Sequence, residues 1–406
     1  MAHREYYREQ NNNMCTLTKL DSNPMFKLSL GSKELFHSNF LEYIWNINHD
    51  LFIDIVNNLL SVKLPKSGKY ILSREKKNFD LCLYHYDAQN KEVYDLIIEN
   101  KVKGIPYKEQ LRAYYNNAKN VNGSTNTPRL LLLSLVSNFT DRNCINNNSK
   151  TYGSWVIADY DMLKNAIINK KSTWGLLPHS NYINDYCDFI GLMHVLQNDI
   201  LSNISNEPLF KDVAIYKNFR LHDLYIKLRC ADFLMKVKSN LVKAGLSIPV
   251  QFLNKYNEMR NNKNTGIFLN VNINQGEGQA AIFLYDQKSD DIYDFVIQGY
   301  QYRHGINSLR HHPPCKDKDK SRNKLWKAIQ KNPNDKTFLN KILCYTTLPT
   351  IVKGAKTGAY CGYDHNYIYK YIKYNDTKYC MDTVCKLAKA ITKDIINFCS
   401  AHITYP

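Results

Sequence analysis

No stretch of the chain approaches the ~20 consecutive apolar residues that a membrane-spanning helix needs, so no such span is expected. The opening residues, MAHREYYREQNNN, place charges where a secretory leader carries its apolar segment, and no leader is expected either. Although there are 11 cysteines, none forms a C-x-x-C pair; they are scattered and odd in number, as in a protein whose thiols stay reduced in the cytoplasm. His311-His312-Pro313-Pro314-Cys315 lacks a second ligand pair at zinc-finger spacing and reads as a basic loop. Gln275-Gly276-Glu277-Gly278-Gln279 has no Lys-Ser/Thr after it, which removes a phosphate-binding loop and leaves a hairpin turn. There is no internal repeat and no low-complexity tract of consequence.

What is present suits a globular chain. The 406 residues are too many for one average domain, and 44% hydrophobic against 22% charged residues allow a sizeable core. A net charge of +17 favours polyanionic partners such as nucleic acid. Only 12 of the 54 basic residues are arginines, however, and a Lys-, Asn-, Ile- and Tyr-rich composition accounts for much of that balance by itself.

Hydrophobic periodicity divides the chain. Leu35, Phe36, Phe40, Leu41, Ile44 and Trp45 recur at helical spacing after Gly31-Ser32, with Ser32 as the expected N-cap, and a second helical run covers Leu51 to Leu60. Strand patterns follow over Lys69–Ser73, Phe79–Tyr86 and Val93–Glu99, the last two joined by Asp87-Ala88-Gln89-Asn90. A helix is predicted from Pro106 through Asn116, a loop over Asn120–Thr127, and a doubly buried strand over Arg129–Val136. Trp155–Ala158 and Asp161–Asn169 read as a strand and a helix. Beyond Pro178 come helices over Tyr182–Leu201 and Leu221–Ala244, then a meander over Gly266–Asn272, Ala280–Tyr285 and Ile292–Tyr302. A basic run, Lys316–Lys327, a Tyr-crowded stretch, Tyr360–Tyr379, and a final helix, Met381–Ala401, complete the chain. The fold class is α/β, a mixed central sheet flanked by helices, followed by a basic α+β domain. The expected bounds are an N-terminal extension 1–30, a first domain 31–205 and a second domain 206–406.

The chemistry concentrates in the first domain. If Asp87 pairs with Glu92 across the hairpin, Asp80 falls opposite Glu99, and strand alternation puts Lys101 on the same face as Glu99. Two opposed carboxylates repel each other unless a hard divalent cation removes the conflict. Mg²⁺ (or Mn²⁺) accepts one or two carboxylates, keeps several waters and activates one of them, while a neighbouring lysine can orient the nucleophile. Each residue also has an ordinary explanation: Glu99 and Lys101 as strand-end charges, Asp80 as a strand-start residue, and Glu34 as a first-turn acid favoured by the helix dipole. Likewise His37 reads as an interior histidine, and Gln110 and Tyr114 as a surface pair four residues apart on one helix.

Asp80, the triplet Glu99-Asn100-Lys101 after Leu96-Ile97-Ile98, Glu34 on the preceding helix, and Gln110-Leu111-Arg112-Ala113-Tyr114 on the following one resemble the PD-(D/E)XK nuclease superfamily. The likeness covers roughly residues 30–200; the customary Pro before the aspartate is absent, the order being Asn78-Phe79-Asp80. The nearest likeness is to little-characterised bacterial members with an E-x-F-H-S helix and an I-E-N-K strand. That resemblance implies a restriction-endonuclease-like core and metal-dependent phosphodiester hydrolysis, in DNA before RNA, in defence or repair. It implies a cation on Asp80, Glu99 and the Asn100 carbonyl, with Glu34 behind them or on a second cation. Lys101 would position the nucleophile, and Gln110 and Tyr114 would orient substrate or lysine. The alternative is a nucleic-acid-binding or protein-interaction module that has kept the fold without turnover. In the second half, Tyr369, Tyr371, Lys370 and Lys373 combine aromatic faces with cations, as base stacking and phosphate contact require, and suit an amphipathic element equally well. The expected partner is nucleic acid without a membrane, and a homodimer is left open.

Overall fold

The structure, a computed structural model, describes residues 14–29, 34–105, 108–123, 126–136, 153–202, 214–246, 248–252, 265–274, 277–288, 291–299, 301–308, 356–363, 367–373 and 381–402. It is a mixed α/β protein whose contacts separate two compact units, Met1–Asn203 with Ile215–Leu224, and Ile204–Ala214 with Tyr225–Pro406.

In the first unit, helices α1 (14–22) and α2 (Pro24–Leu28) precede α3 (Glu34–Ile47) and α4 (His49–Leu59). The break between α3 and α4 is set by Asn48, whose side chain accepts the Leu51 N–H at 2.9 Å and caps α4. Strands β1 (Ile71–Arg74), β2 (Leu81–Tyr86) and β3 (Glu92–Lys101) form an antiparallel meander; β4 (Arg129–Ser134) and β5 (Trp155–Ala158) then add in parallel, giving the order β1-β2-β3-β4-β5. Helix α5 (Lys108–Asn122) lies between β3 and β4, and α6 (Tyr160–Ile168), α7 (Lys171–Trp174) and α8 (Ser180–Ser202) follow β5.

Strand alternation sorts the core. Cys82, Tyr84, Tyr94, Ile97, Leu130 and Leu132 pack with Leu111, Tyr115 and Ala118 of α5, whereas α3 packs on β1 and β3, and α6 on β4. Leu130 to Leu133 are each 1% exposed or less, as expected of a strand covered on both faces.

Helices α9 (Ala214–Asn218) and α10 (His222–Lys243) are each divided between the units, and the second unit holds most of α10 and a seven-stranded mixed sheet. Its strands are β6 (Val250–Phe252), β7 (Gly266–Asn274), β8 (Glu277–Asp286), β9 (Asp291–Gln298), β10 (Gln301–Ser308), β11 (Lys356–Tyr363) and β12 (Tyr367–Lys373), in the order β11-β12-β10-β9-β8-β7-β6. Helix α11 (Met381–His402) seats Phe398 against Tyr293 and Phe295, with ring centroids 4.6 and 5.8 Å apart.

Several expected bounds change. The predicted loop from Asn120 begins later, because α5 continues to Asn122, whose amide bonds both the N–H and the carbonyl of Tyr94 at 2.8 Å and ties the helix end to β3. The single strand expected over Ile292–Tyr302 is two strands, β9 and β10, which reverse at Gly299 in the left-handed region (φ +52°). The Tyr-crowded stretch contains the pair β11 and β12. The Ser32 cap, the Pro106 helix start, the His311–Cys315 motif and the Lys316–Lys327 run lie outside the described residues. Among the described residues Cys15, Cys82, Cys187, Cys230 and Cys385 are free thiols, and no helix is long and apolar enough to cross a membrane.

Candidate functional site

The hairpin β2–β3 brings Asp80 to Glu99 by a route the sequence did not reveal. Near the turn Tyr86 pairs with Glu92, and Asp87 donates its N–H to the Lys91 carbonyl, one residue off the expected Asp87–Glu92 pairing. A β-bulge then places Asp95 as an extra residue on β3, and from Leu83–Leu96 through Leu81–Ile98 the pairing is the expected one. The two displacements cancel, so Asp80 precedes β2 at the level of Glu99. The bulge residue is held by His85, whose Nδ1 lies 2.6 Å from Asp95 Oδ2.

Glu99 is fully buried. Its Oε1 receives Lys101 Nζ at 2.6 Å and Gln110 Nε2 at 3.0 Å, whereas Oε2 is buried without a donor. Burial, reinforced by the charge of Asp80 and opposed by Lys101, pushes the Glu99 carboxyl up to about 8. Asp80 is raised as well, first by burial, although its Oδ2 accepts the Asn100 N–H at 2.7 Å. The strand register sets the two carboxyls at the same level, where the charge of each opposes ionisation of the other. Burial alone would lower Lys101, but Glu99 and Glu34 outweigh it and hold the ammonium above its ordinary value.

Glu34, at the start of α3, reaches the same strand end. Its Oε1 accepts the N–H groups of Val102 at 3.1 Å and Gly104 at 3.3 Å, and Oε2 lies 3.7 Å from Lys101 Nζ. A Cβ at Gly104 would meet Lys101 Cδ at 3.3 Å and Glu34 Oε1 at 3.4 Å, so glycine leaves room for this approach. Glu34 therefore anchors the helix to the strand end and faces the lysine. On α5, Gln110 Nε2 also donates to Tyr114 OH at 2.8 Å, and the Tyr114 ring meets Phe79 edge-on at 5.7 Å. Gln110 and Tyr114, both half-buried, are thus joined to Glu99 in a hydrogen-bonded chain and are more than a surface pair.

On the opposite face of β3, Asn100 Nδ2 donates to Ser38 Oγ at 2.7 Å, and Asn100 Oδ1 has no partner. His37 is an interior histidine, 2% exposed, with its ring drawn down to about 3 by burial. Tyr160, the first residue of α6, lies beside it and was not singled out in the sequence; a tyrosine directly after an Asp N-cap is an ordinary start to a helix.

Asp80, Glu99, Lys101, Glu34, Gln110, Tyr114 and the Asn100 backbone thus converge at one end of the five-stranded sheet. Among the described residues no group of three or more His, Cys, Asp or Glu is arranged to hold a metal ion; the oxygen donors available are the Asp80–Glu99 pair and backbone carbonyls. In the second unit Tyr369, Tyr371 and Lys373 occupy alternate positions of β12 and Lys370 falls between them, opposite His304 of β10. Comparison of the chain with family models, with curated proteins and with solved structures gives no match.

Proposed function

We propose that the chain is a metal-dependent nuclease, hydrolysing phosphodiester bonds in nucleic acid, DNA before RNA, on a restriction-endonuclease-like first domain. The observation that carries the reading is the face-to-face pair Asp80–Glu99 with Lys101 Nζ 2.6 Å from Glu99 and a buried, donor-free oxygen at Glu99 Oε2. Opposed buried carboxylates are costly in isolation, and a cation is the usual partner that relieves them. An all-oxygen donor set fits Mg²⁺ or Mn²⁺, which needs one or two carboxylates and completes its shell with water.

Asp80 and Glu99 would hold the ion, with the Asn100 carbonyl as a third donor. When bound, it would lower the pKa of a water and neutralise charge on the phosphoryl oxygens. Hydrolysis would form a bond from the water oxygen to phosphorus as the phosphorus–oxygen bond to a sugar breaks; the water's proton would pass to solvent, and the leaving sugar oxygen would take one from solvent. Lys101 is held protonated by Glu99 and Glu34, so it cannot take that proton; its role is to donate to the attacking water or to the charge building on phosphate. Glu34 and Gln110 fix the two ends of this lysine–glutamate pair, and Tyr114 fixes Gln110. The +17 charge suits a polyanionic substrate, and the second unit would grip it.

A specific observation favours a second reading, a binding module without turnover: Lys101 and Gln110 already occupy Glu99 Oε1. Incubating the protein with linear, circular and single-stranded DNA and with RNA, in Mg²⁺, Mn²⁺ and EDTA, separates the two. Cleavage in either metal and none in EDTA is expected. Binding to nucleic acid with no cleavage under any condition would refute the nuclease reading in favour of the second.

A further inference from the structure

Helix α3 grips the end of β3 at two levels. Glu34 Oε1 accepts the N–H groups of Val102 at 3.1 Å and Gly104 at 3.3 Å, and Ser38 Oγ accepts Asn100 Nδ2 at 2.7 Å. The spacings match: four helical residues rise about 6 Å and two strand residues about 6.6 Å, so Glu34 and Ser38, one turn apart on one face of α3, meet Val102 and Asn100, two residues apart on β3. Ser38 and Asn100 are 1% and 0% exposed. Among the described residues Ser38 is the hydrogen-bond partner of the Asn100 side chain, whose Oδ1 has none.

A buried polar pair adds little net stability over an apolar pair of the same shape, which leaves nothing to satisfy. What it adds is direction. The backbone of Asn100 is where direction matters, because its N–H donates to Asp80 Oδ2 at 2.7 Å. The Lys101 carbonyl accepts the Leu135 N–H at 2.9 Å, on the β4 side, so the Asn100 carbonyl, one residue earlier, points the other way, to the side of Asp80. A twist of the strand at Asn100 would take the N–H off Asp80, swing that carbonyl aside and turn Glu99 and Lys101 with it. The bond from Ser38 opposes this twist.

We propose that Ser38 is a positioning residue of the site: by holding the Asn100 side chain it sets the N–H that orients Asp80 and the carbonyl that joins the two carboxylates as an oxygen donor to the cation. This rests on the two-carboxylate reading above. An ion such as Mg²⁺ demands near-ideal geometry, and loss of a group that supports metal ligands lowers metal affinity about 10–100-fold.

Ser38→Ala removes the bond. Mn²⁺ binding to the full chain without nucleic acid, read by electron paramagnetic resonance, is expected to weaken about 10-fold or more. Adding Asn100→Leu removes the orphaned amide as well, and is expected to return thermal stability toward wild type while Mn²⁺ affinity stays low. A purely structural pair predicts instead that affinity recovers with stability. Affinity within about twofold of wild type, in either variant, overturns the proposal. Wild type that binds no Mn²⁺ overturns the two-carboxylate reading, and the proposal with it. Should neither variant fold, wild-type crystals soaked in Mn²⁺ decide: an ion on Asp80 and Glu99 with the Asn100 carbonyl more than about 3 Å away refutes the role of Ser38 and leaves the carboxylate pair standing.

Discussion

Replacing Glu99 by Gln tests the electrostatics of the site without reference to catalysis. Glu99 titrates at 4.5 in an unfolded chain and at about 8 in the metal-free fold. Between those values the unfolded chain has released the proton and the folded protein still holds it, so the folded state binds more protons and stability falls as pH rises. At 1.36 kcal/mol per unit, the interval amounts to roughly 4–5 kcal/mol lost between about pH 4.5 and 8. Asp80, raised in the same direction, contributes with the same sign. Lys101 stays protonated across this window in both states and adds no slope. Gln cannot ionise, so Glu99→Gln should remove most of the loss. The assay is urea denaturation in EDTA at pH 5 and pH 8 for both proteins. Wild type should lose several kcal/mol more than the variant between the two pH values, and saturating Mg²⁺ at pH 8 should restore much of it. Slopes equal within about 0.5 kcal/mol would refute the account of Glu99 as a buried acid raised by its surroundings.

Three further outcomes follow from the same geometry. Lys101→Ala should abolish most cleavage and leave DNA affinity nearly unchanged, because one amine among many basic groups adds little to binding; a parallel loss of binding in a gel-shift titration would make it a phosphate contact instead. His37, held near 3 against 6.5 unfolded, contributes the opposite slope: it offsets that of Glu99 between about pH 4.5 and 6.5 and makes stability fall as pH drops further, and His37→Phe should flatten that acid limb in urea melts. Ser38→Ala should cost about 1–3 kcal/mol by leaving the fully buried Asn100 amide unpaired, and adding Asn100→Leu should recover most of it in the same assay.

How far the sequence reveals this structure depends on the range of each interaction. Alternation and apolar runs place β1 to β5 and the helices between them within a few residues, because each element buries a face its own sequence encodes. Asp80 opposite Glu99 is reached from a turn register that is one residue off, and only the bulge at Asp95 restores the pairing. A bulge is set by the cross-strand contact His85–Asp95, which has no local signature. Glu34, Gln110 and Tyr114 are legible as positions, but their partners are tertiary: Glu34 binds the amides of Val102 and Gly104, and Gln110 binds Glu99. Ser38 is invisible for the same reason, since its meaning comes from Asn100 on β3, far away along the chain. In the meander, the reversal at Gly299 is missed because the flanking apolar runs of β9 and β10 read as one strand.

The central claim is that Asp80 and Glu99 are a pair of cation ligands, and anomalous diffraction from crystals soaked in Mn²⁺ addresses it most directly. The expected result is one peak at the end of β3 with a carboxylate oxygen of Asp80 and one of Glu99 each within about 2.0–2.6 Å, and Lys101 displaced from Glu99 Oε1. A crystal saturated with Mn²⁺ in which Lys101 still binds Glu99 Oε1 and no peak lies between the two carboxyls would contradict the account.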